Sequence, residues 1–307
     1  MLSFLLLKQI AQLFLIIFMG LAAVKTGLLR AEDSLGLSKI LLYVINPCVI
    51  IKAFQLERTP ETASMMLLSF GAALFLNILL IVLTVPFGKL FRLNQMERAS
   101  VILPNCTNMI IPLVTALFGA EWVVFISIYG MVQICVAFTY GTYLISGDKK
   151  FSPKKILLNA NIVAIIVGFV LFLFQIRLPE VVQGALTQTS GMIGPAAMLM
   201  LGMLMSGLDW KKMKDYLKVW RVALLRLIIY PVIMVLIVKY SGAANWVSNG
   251  EMILLISLLS ACAPVANIVM QFCQLYDNEP EYASFANVVT MLLCIVTMPL
   301  MVALYQM

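Results

Sequence analysis

Residues 103–114 read LPNCTNMIIPLV, a polar stretch with two prolines inside a long hydrophobic run. Proline removes a backbone donor and clashes with the preceding turn, so this stretch predicts a break in any helix that contains it. Within a bilayer, each backbone group that a break frees needs a partner, and Asn105, Thr107 and Asn108 could supply one. The stretch is therefore either a loop in water or a broken helix inside a membrane.

The composition of the whole chain decides between these alternatives. The 307 residues are 63% hydrophobic and 11% charged, with a mean hydropathy of +1.02. Soluble domains are roughly 45–50% apolar and about 25% charged, so much of this surface must face lipid. The net charge of +7 is distributed in a way that indicates membrane orientation and no nucleic-acid partner. With no histidine and six cysteines in apolar segments, the sequence gives no sign of a metal site, a cofactor or a disulfide framework.

Ten segments have the length and apolar character of membrane-spanning helices, since a bilayer core needs roughly 20 residues per helix. We number them as spans 1 to 10, and they run near 5–25, 35–54, 64–87, 98–119, 122–146, 156–176, 181–207, 217–239, 251–275 and 281–305. The first segment lacks a basic region and a cleavage site, so it is interpreted as a helix and not as a signal peptide. The sequence thus predicts an all-α, multi-pass integral membrane protein.

Basic residues are unequally divided between the two sides of the predicted membrane. If the N-terminal side is called the outside, fifteen lie on the opposite side and five on the N-terminal side. Lys and Arg are retained on the cytoplasmic side, so both termini are predicted to lie outside the cytoplasm, with the chain in the cell membrane. The fifteen are Lys25, Arg30, Lys39, Lys89, Arg92, Arg98, Lys149, Lys150, Lys154, Lys155, Lys211, Lys212, Lys214, Lys218 and Arg221; the five are Lys8, Lys52, Arg58, Arg177 and Lys239.

A basic segment, GDKKFSPKK at 147–155, divides the spans into two sets of five. Because five is odd, two similar halves would lie in opposite orientations, as in the inverted repeats of many transporters. Span 2 carries Pro47 and span 7 carries Pro195, while span 9 has a second polar break, SACAPVANIVM at 260–270. Two broken helices at matching places indicate a binding site near the membrane midplane.

Candidate binding residues come from the two breaks and a neighbouring span. They are Asn105, Thr107, Asn108 and Pro112 in span 4, Gln133 in span 5, and Pro264 and Asn267 in span 9. The alternative is that the amides only satisfy the backbone of a packing kink. For Gln133, substrate contact and an interhelical hydrogen bond are both open.

Four further residues are assigned to scaffold or gating roles: Asn46, Pro47, Pro195 and Arg226. Arg226 lies near the cytoplasmic end of span 8. It either snorkels, so that its guanidinium reaches water, or attracts an anion at that surface.

The chemistry of the spans favours an anion as substrate. No span carries a carboxylate near its middle, so the sequence offers neither a central proton relay nor a carboxylate site for sodium. Backbone carbonyls could still hold sodium. Neutral amides and the positive ends of half-helices suit an anion. A potential that is negative inside drives anions outward by about 2.3 kcal/mol per charge per 100 mV, so efflux or uniport is the simplest mechanism.

The motifs also resemble those of a known family. NPCVII in span 2, NCTNMIIP in span 4, RLIIYPVIM in span 8 and APVAN in span 9 are similar, in order and spacing, to the auxin efflux carrier family, which includes plant PIN carriers and bacterial malate and malonate permeases. The resemblance covers the whole chain. It departs at NCTNM, where relatives often read Asn-Thr-Gly-Phe, and the long central loop of the plant carriers is replaced by a short basic one.

The resemblance implies a fold of ten helices in two inverted five-helix repeats, shared with bile-acid symporters, and elevator-type alternating access. It implies a scaffold of spans 1, 2, 6 and 7 and a transport domain of spans 3–5 and 8–10, with spans 4 and 9 crossing at their prolines. The corresponding boundaries are 1–62 and 156–210 for the scaffold, 63–147 and 211–307 for the transport domain, and 148–155 for the linker between repeats.

The expected function is secondary transport of a small organic anion, such as a mono- or dicarboxylate. Membrane lipid and a second copy of the chain, bound through scaffold helices, are the other expected partners. A cation-coupled organic-anion symporter of the bile-acid type and a ligand-sensing membrane receptor stay open as alternatives. An enzyme is not expected, because the spans lack histidine and central acids.

The predicted orientation can be tested by labelling single cysteines in intact cells. In a variant without its native cysteines, a cysteine at position 3 should react with an impermeant maleimide added outside, and one at position 150 should not. Labelling of position 150 from outside would overturn the orientation that the basic residues predict.

Overall fold

A computed structural model describes residues 2–147, 157–207 and 217–307. The described residues form helices joined by turns, with one isolated antiparallel bridge and no strand, so the all-α prediction is confirmed. The predicted linker at 148–155 and the basic stretch at 208–216 lie outside the described residues. In chain order the helices are α1 (Leu2–Lys25), α2 (Ala31–Ala53), α3 (Pro60–Leu90), α4 (Gln95–Ile102), α5 (Ile111–Phe118), α6 (Ala120–Ser146), α7 (Ala160–Leu173), α8 (Glu180–Ser206), α9 (Val219–Tyr240), α10 (Gly250–Ala261), α11 (Asn267–Leu275) and α12 (Pro280–Gln306).

Six of these helices are long and apolar enough to cross a membrane: α2, α3, α6, α8, α9 and α12. Helices α7 and α10 are apolar but shorter. Span 4 is divided between α4 and α5, and span 9 between α10 and α11, at the two polar breaks that the sequence predicts. The arrangement of ten spans in two inverted repeats stays a prediction.

Three prolines follow wide helical turns. Five-residue π-helical turns occur at Leu41–Ile45 in α2, Cys106–Ile110 before α5 and Leu225–Ile229 in α9, and each is followed two residues later by a proline. Proline clashes with the carbonyl four residues earlier, and a π-turn moves that carbonyl aside. Pro47 therefore leaves α2 continuous. Pro195 differs, since a turn at Met192 interrupts α8 three residues before it.

Glycines allow α1 and α8 to approach closely. A Cβ at Gly202 would collide with the backbone of Ile17, and a Cβ at Gly20 would collide with the backbone of Leu199. In lipid, no hydrophobic effect drives helices together. Small residues at such contacts let the backbones approach closely, so that van der Waals packing holds the helices together instead. Most of the remaining helix contacts fall within two groups, one of α1, α2, α7 and α8 and one of α3, α6, α9, α10, α11 and α12. Fewer contacts join the groups, among them those of α1 with α12 and of α2 with α6.

Candidate functional site

The two broken helices meet at their breaks. After α4 and α10 end, the chain is extended, and the two extended segments lie side by side. The amide of Asn105 donates to the carbonyl of Pro264 (2.8 Å), and the amide of Ala266 donates to the carbonyl of Leu103 (3.0 Å). These bonds form the isolated antiparallel bridge. Each break thus supplies partners for backbone groups that the other break frees.

Two polar residues of α12 stabilise the second break. The amide group of Asn287 donates to the Val265 carbonyl (2.7 Å) and to Oδ1 of Asn267 (2.9 Å), and the Val265 amide donates to Oγ1 of Thr290 (3.1 Å). All four residues are buried. The sequence analysis missed Asn287 and Thr290. Two polar residues three positions apart in an apolar helix were a visible signal, because such side chains need partners in a membrane.

Gln133 of α6 stabilises the first break in the same way. Its Nε2 donates to the carbonyl of Pro104, and the thiol of Cys106 donates to its Oε1. Of the two roles that the sequence leaves open for Gln133, the interhelical hydrogen bond is therefore present.

Arg226 of α9 lies where α4 and α10 end, and its exposed fraction is 0%. Its Nε donates to the carbonyl of Ala263 (2.8 Å), Nη1 to that of Val101 (2.9 Å) and Nη2 to that of Ala261. Carbonyls at a helix C-terminus lack intrahelical partners and carry the negative end of the helix dipole. Arg226 therefore links the C-terminal ends of both broken helices.

This location excludes snorkelling, one of the two alternatives that the sequence leaves open for Arg226. A snorkelling side chain keeps its charged group in water, whereas this guanidinium is enclosed by protein. Within the described part of the chain, no carboxylate forms a salt bridge with it. Carbonyl dipoles surround its charge instead, so Arg226 lies beside the crossing and not at a membrane surface.

A cavity of about 200 Å³ lies beside the crossing. Its polar lining is neutral: no Asp, Glu, Lys or Arg is among the described residues that form its wall. The polar groups are seven amides, three hydroxyls and a thiol, from Asn46, Asn105, Gln133, Asn159, Asn161, Asn267, Gln271, Ser38, Tyr43, Thr107 and Cys106.

Four of the predicted binding residues meet in this cavity: Asn105, Thr107, Gln133 and Asn267. Asn105 also donates from Nδ2 to Oδ1 of Asn267 (3.4 Å). The wall includes Asn46, which the sequence analysis assigned to the scaffold.

The other predicted residues lie elsewhere or outside the description. Pro112 is buried beside Gly194, where a Cβ would lie 3.4 Å from the proline ring. Pro264 contributes its carbonyl to the bridge. The side chain of Asn108 lies outside what the structure describes, although its backbone belongs to the π-turn before α5.

Several cavity residues were missed in the sequence. Asn159 ends the connection before α7 and accepts a hydrogen bond from the Asn161 amide (3.0 Å), which caps that helix. Nothing local connects these two residues with span 4 or span 9. Gln271 could have been found, because it lies one helical turn after Asn267 and so on the same face.

The N-terminus of α11 adds a positive potential to the cavity. Ala266, Asn267 and Ile268 line the wall, and the first turn of α11 has no side-chain cap. The N–H groups of a first turn carry the positive end of the helix dipole and bind anions readily. Together with buried Arg226, this helix end gives the cavity a positive potential although no Lys or Arg is among its described wall residues.

Comparison with known families identifies the class of protein. A family model described as membrane transport protein matches residues 5–151 and residues 148–302. The chain belongs to this family. The membrane transport protein family includes the auxin efflux carriers, so the resemblance seen in the sequence is confirmed, and the chain is a multi-pass membrane transporter. No curated protein matches the chain in sequence.

For this membrane transport protein, we predict that Arg226→Met lowers the melting temperature strongly. The substitution leaves three carbonyls at the ends of α4 and α10 without their donor, and each unpaired buried group costs about 1–3 kcal/mol. Thermal unfolding in detergent measures the effect. Arg226→Lys should be intermediate, because one ammonium cannot reproduce the planar guanidinium.

Arg177→Met is the matched control. Arg177 forms an exposed salt bridge with Glu57 (3.2 Å), and exposed pairs contribute about 0–1 kcal/mol. An Arg226→Met protein that melts like this control would contradict the linking role of Arg226.

Proposed function

We propose that this chain is a secondary transporter that moves a small organic anion, such as a mono- or dicarboxylate, by efflux or uniport. The observation that carries the proposal is the amide-lined cavity at the crossing of the two broken helices. Family membership supports membrane transport in general, and the cavity supports the class of substrate.

Size and lining of the cavity favour a small solute. Its volume of about 200 Å³ lies below the roughly 300–1,000 Å³ of pockets that take drug-sized ligands. Amide groups donate to carboxylate oxygens, and hydrogen bonds to charged groups contribute about 1.5–3 kcal/mol each. Several such bonds can hold a carboxylate without a salt bridge, which keeps release possible.

Electrostatics favour an anion over a cation. The cation of Arg226 is bonded to Ala263, the residue next to Pro264 of the bridge. The positive end of α11 faces the cavity, and no carboxylate among the described wall residues opposes it. A cation in the same cavity would meet two positive sources and no countercharge.

Helix contacts support an elevator-type motion. The two packing groups support the proposed division into scaffold and transport domain, and the cavity is lined by residues from both groups. Ser38, Asn46 and Asn161 come from the first group, and Gln133 and Asn267 come from the second. Movement of the second group along the first would carry a bound anion with it.

From the predicted orientation of the chain, we infer which side of the membrane the cavity faces. Its scaffold residues Ser38 and Asn159 lie near the ends of α2 and α7 that follow connections predicted to be cytoplasmic. In the proposed cycle, this arrangement is therefore the inward-facing one.

Hydrogen bonds at the breaks weigh against cation coupling, the second candidate mechanism. A sodium site without carboxylates would need several carbonyls directed at one ion. The carbonyls of Leu103, Pro104, Pro264 and Val265 all accept hydrogen bonds from the protein. The unwound segments are thus engaged with each other and with amide side chains.

We predict that Asn267→Ala and Asn108→Ala weaken anion binding about tenfold or more, since each removes a hydrogen bond to a charged group worth about 1.5–3 kcal/mol. A thermal-shift screen of mono- and dicarboxylates on purified protein first identifies a ligand, because a binder stabilises the folded state by mass action. Asn46→Ala, on the scaffold side, should mainly slow turnover or lower stability.

Asn77→Ala is the control, since Asn77 is a buried amide of α3 that donates to the Ala73 carbonyl (2.8 Å) and is not among the described cavity residues. If Asn108→Ala and Asn267→Ala bind the identified anion normally but melt early, the amides are structural and the site lies elsewhere. If no carboxylate shifts the melting temperature, the substrate class is wrong.

We further predict that transport in proteoliposomes follows voltage and the substrate gradient and does not need sodium. The reason is the absence of central carboxylates in the sequence. Uptake of a labelled anion is measured with imposed potassium-diffusion potentials, with sodium replaced by choline. Transport that stops without sodium would favour the symporter alternative.

A further inference from the structure

A second cavity lies away from the crossing, between α3, α9 and α10. It has a volume of about 530 Å³, and its wall is almost entirely apolar. The open side is bordered by side chains that are themselves exposed, such as Leu67 with 71% and Trp246 with 73% of its surface accessible. In a multi-pass membrane protein, a surface of this kind faces lipid. The cavity is therefore a groove that continues the lipid-facing surface inward.

The groove has the depth of one bilayer leaflet. Its lining residues on α3 recur at intervals of three and four from Ser64 to Leu76, which places them on one face of the helix. The twelve steps from Ser64 to Leu76, at a rise of 1.5 Å each, span about 18 Å. Half of a hydrocarbon core is about 15 Å. The groove thus runs along the membrane normal from one surface to about the midplane.

One end of the groove is more polar than the rest. Ser64 is in the first turns of α3, Ser241 directly follows α9, and Trp246 is in the connection to α10. Tryptophan is enriched at membrane interfaces, where its ring sits at headgroup level. Both hydroxyls are engaged locally, Ser64 with the Pro60 carbonyl (3.0 Å) and Ser241 with that of Val238 (2.7 Å).

We propose that this groove binds one acyl chain of a membrane phospholipid, with the headgroup at the end marked by Trp246. The occupant's chemistry follows from the wall, which offers apolar contact over the length of a leaflet and few polar groups. A free fatty acid would place a carboxylate at the same end, and the described wall holds no Lys or Arg to receive it. A phospholipid headgroup remains outside the groove, in the interface.

The bound chain would join two parts of the molecule. One wall is α3, from the first half of the chain, and the other is formed by α9 and α10, from the second half. All three helices belong to the packing group proposed to move. The bound acyl chain would therefore pack between α3 and the helices α9 and α10, and it would move together with them.

Gly71 allows a sharp test of this site. A Cβ built at Gly71, on the groove face of α3, meets no atom within 4 Å. Gly71→Phe should occupy the groove without disturbing the backbone, and Gly71→Leu fills it less. Gly184→Phe is the control, because Gly184 in α8 is equally open and lies outside the described groove wall.

The measurement is native mass spectrometry of delipidated protein in detergent, titrated with dioleoyl phosphatidylcholine or with oleic acid. Wild type and Gly184→Phe should retain one phospholipid, Gly71→Phe at least tenfold less, and Gly71→Leu an intermediate amount at wild-type melting temperature. Equal retention by all four proteins would overturn the site. Retention of oleic acid without phospholipid would overturn the phospholipid assignment. Neither outcome depends on whether the chain transports an anion.

Discussion

The guanidinium of Arg226 and the backbone bridge beside it supply hydrogen-bond partners for the backbone groups that the two helix breaks leave unpaired. A helix that stops inside a bilayer leaves carbonyls unpaired at its end, and the next helix begins with unpaired N–H groups. Each unpaired group costs several kcal/mol in hydrocarbon. Arg226 donates hydrogen bonds to the carbonyls at the ends of α4 and α10, and the two extended segments form backbone hydrogen bonds with each other. Gln133, Asn287 and Thr290 bond to the groups between.

This division of partners has an electrostatic consequence. The negative helix ends are bonded to a cation inside the protein, whereas the positive end of α11 is uncapped at the cavity wall. The negative dipole ends of the broken helices are thus neutralised, whereas the positive dipole end of α11 is not. The resulting positive potential favours negative charge in the cavity. For the proposed anion, neutral amides would then suffice as ligands, because the attraction would come from the helix end at the wall and from Arg226 behind it.

The features that could be predicted from the sequence, the helices and their two breaks, are those that a bilayer strongly constrains. Hydropathy predicted helices, and the prolines and amides at 103–112 and 260–270 predicted the two breaks, since few other structures are tolerated in lipid. Partners across the fold could not be predicted in this way. The position of Arg226 near a predicted span end suggested snorkelling, but its contacts depend on where α4 and α10 end in space. Asn159 and Asn161 reach the cavity only through long-range packing.

Pro47 shows the limit of local rules. Its effect on α2 depends on whether the preceding turn can widen, and the π-turn at Leu41–Ile45 absorbs the clash without a break. The presence of Pro47 alone therefore does not determine whether α2 breaks or only widens at this turn.

The π-turns also determine how the cavity wall is built. Leu42 and Tyr43, Cys106, and Ala137 and Phe138 belong to three different π-turns, and all of them line the cavity. A π-turn holds one residue more than the α-helical winding needs, and each residue of an α-helix advances it by about 100° around its axis. The surplus residue therefore rotates the side chains on one side of the π-turn relative to those on the other side. At the cavity wall, side chains can thus point in directions that the packing of the same helices farther along the chain does not dictate.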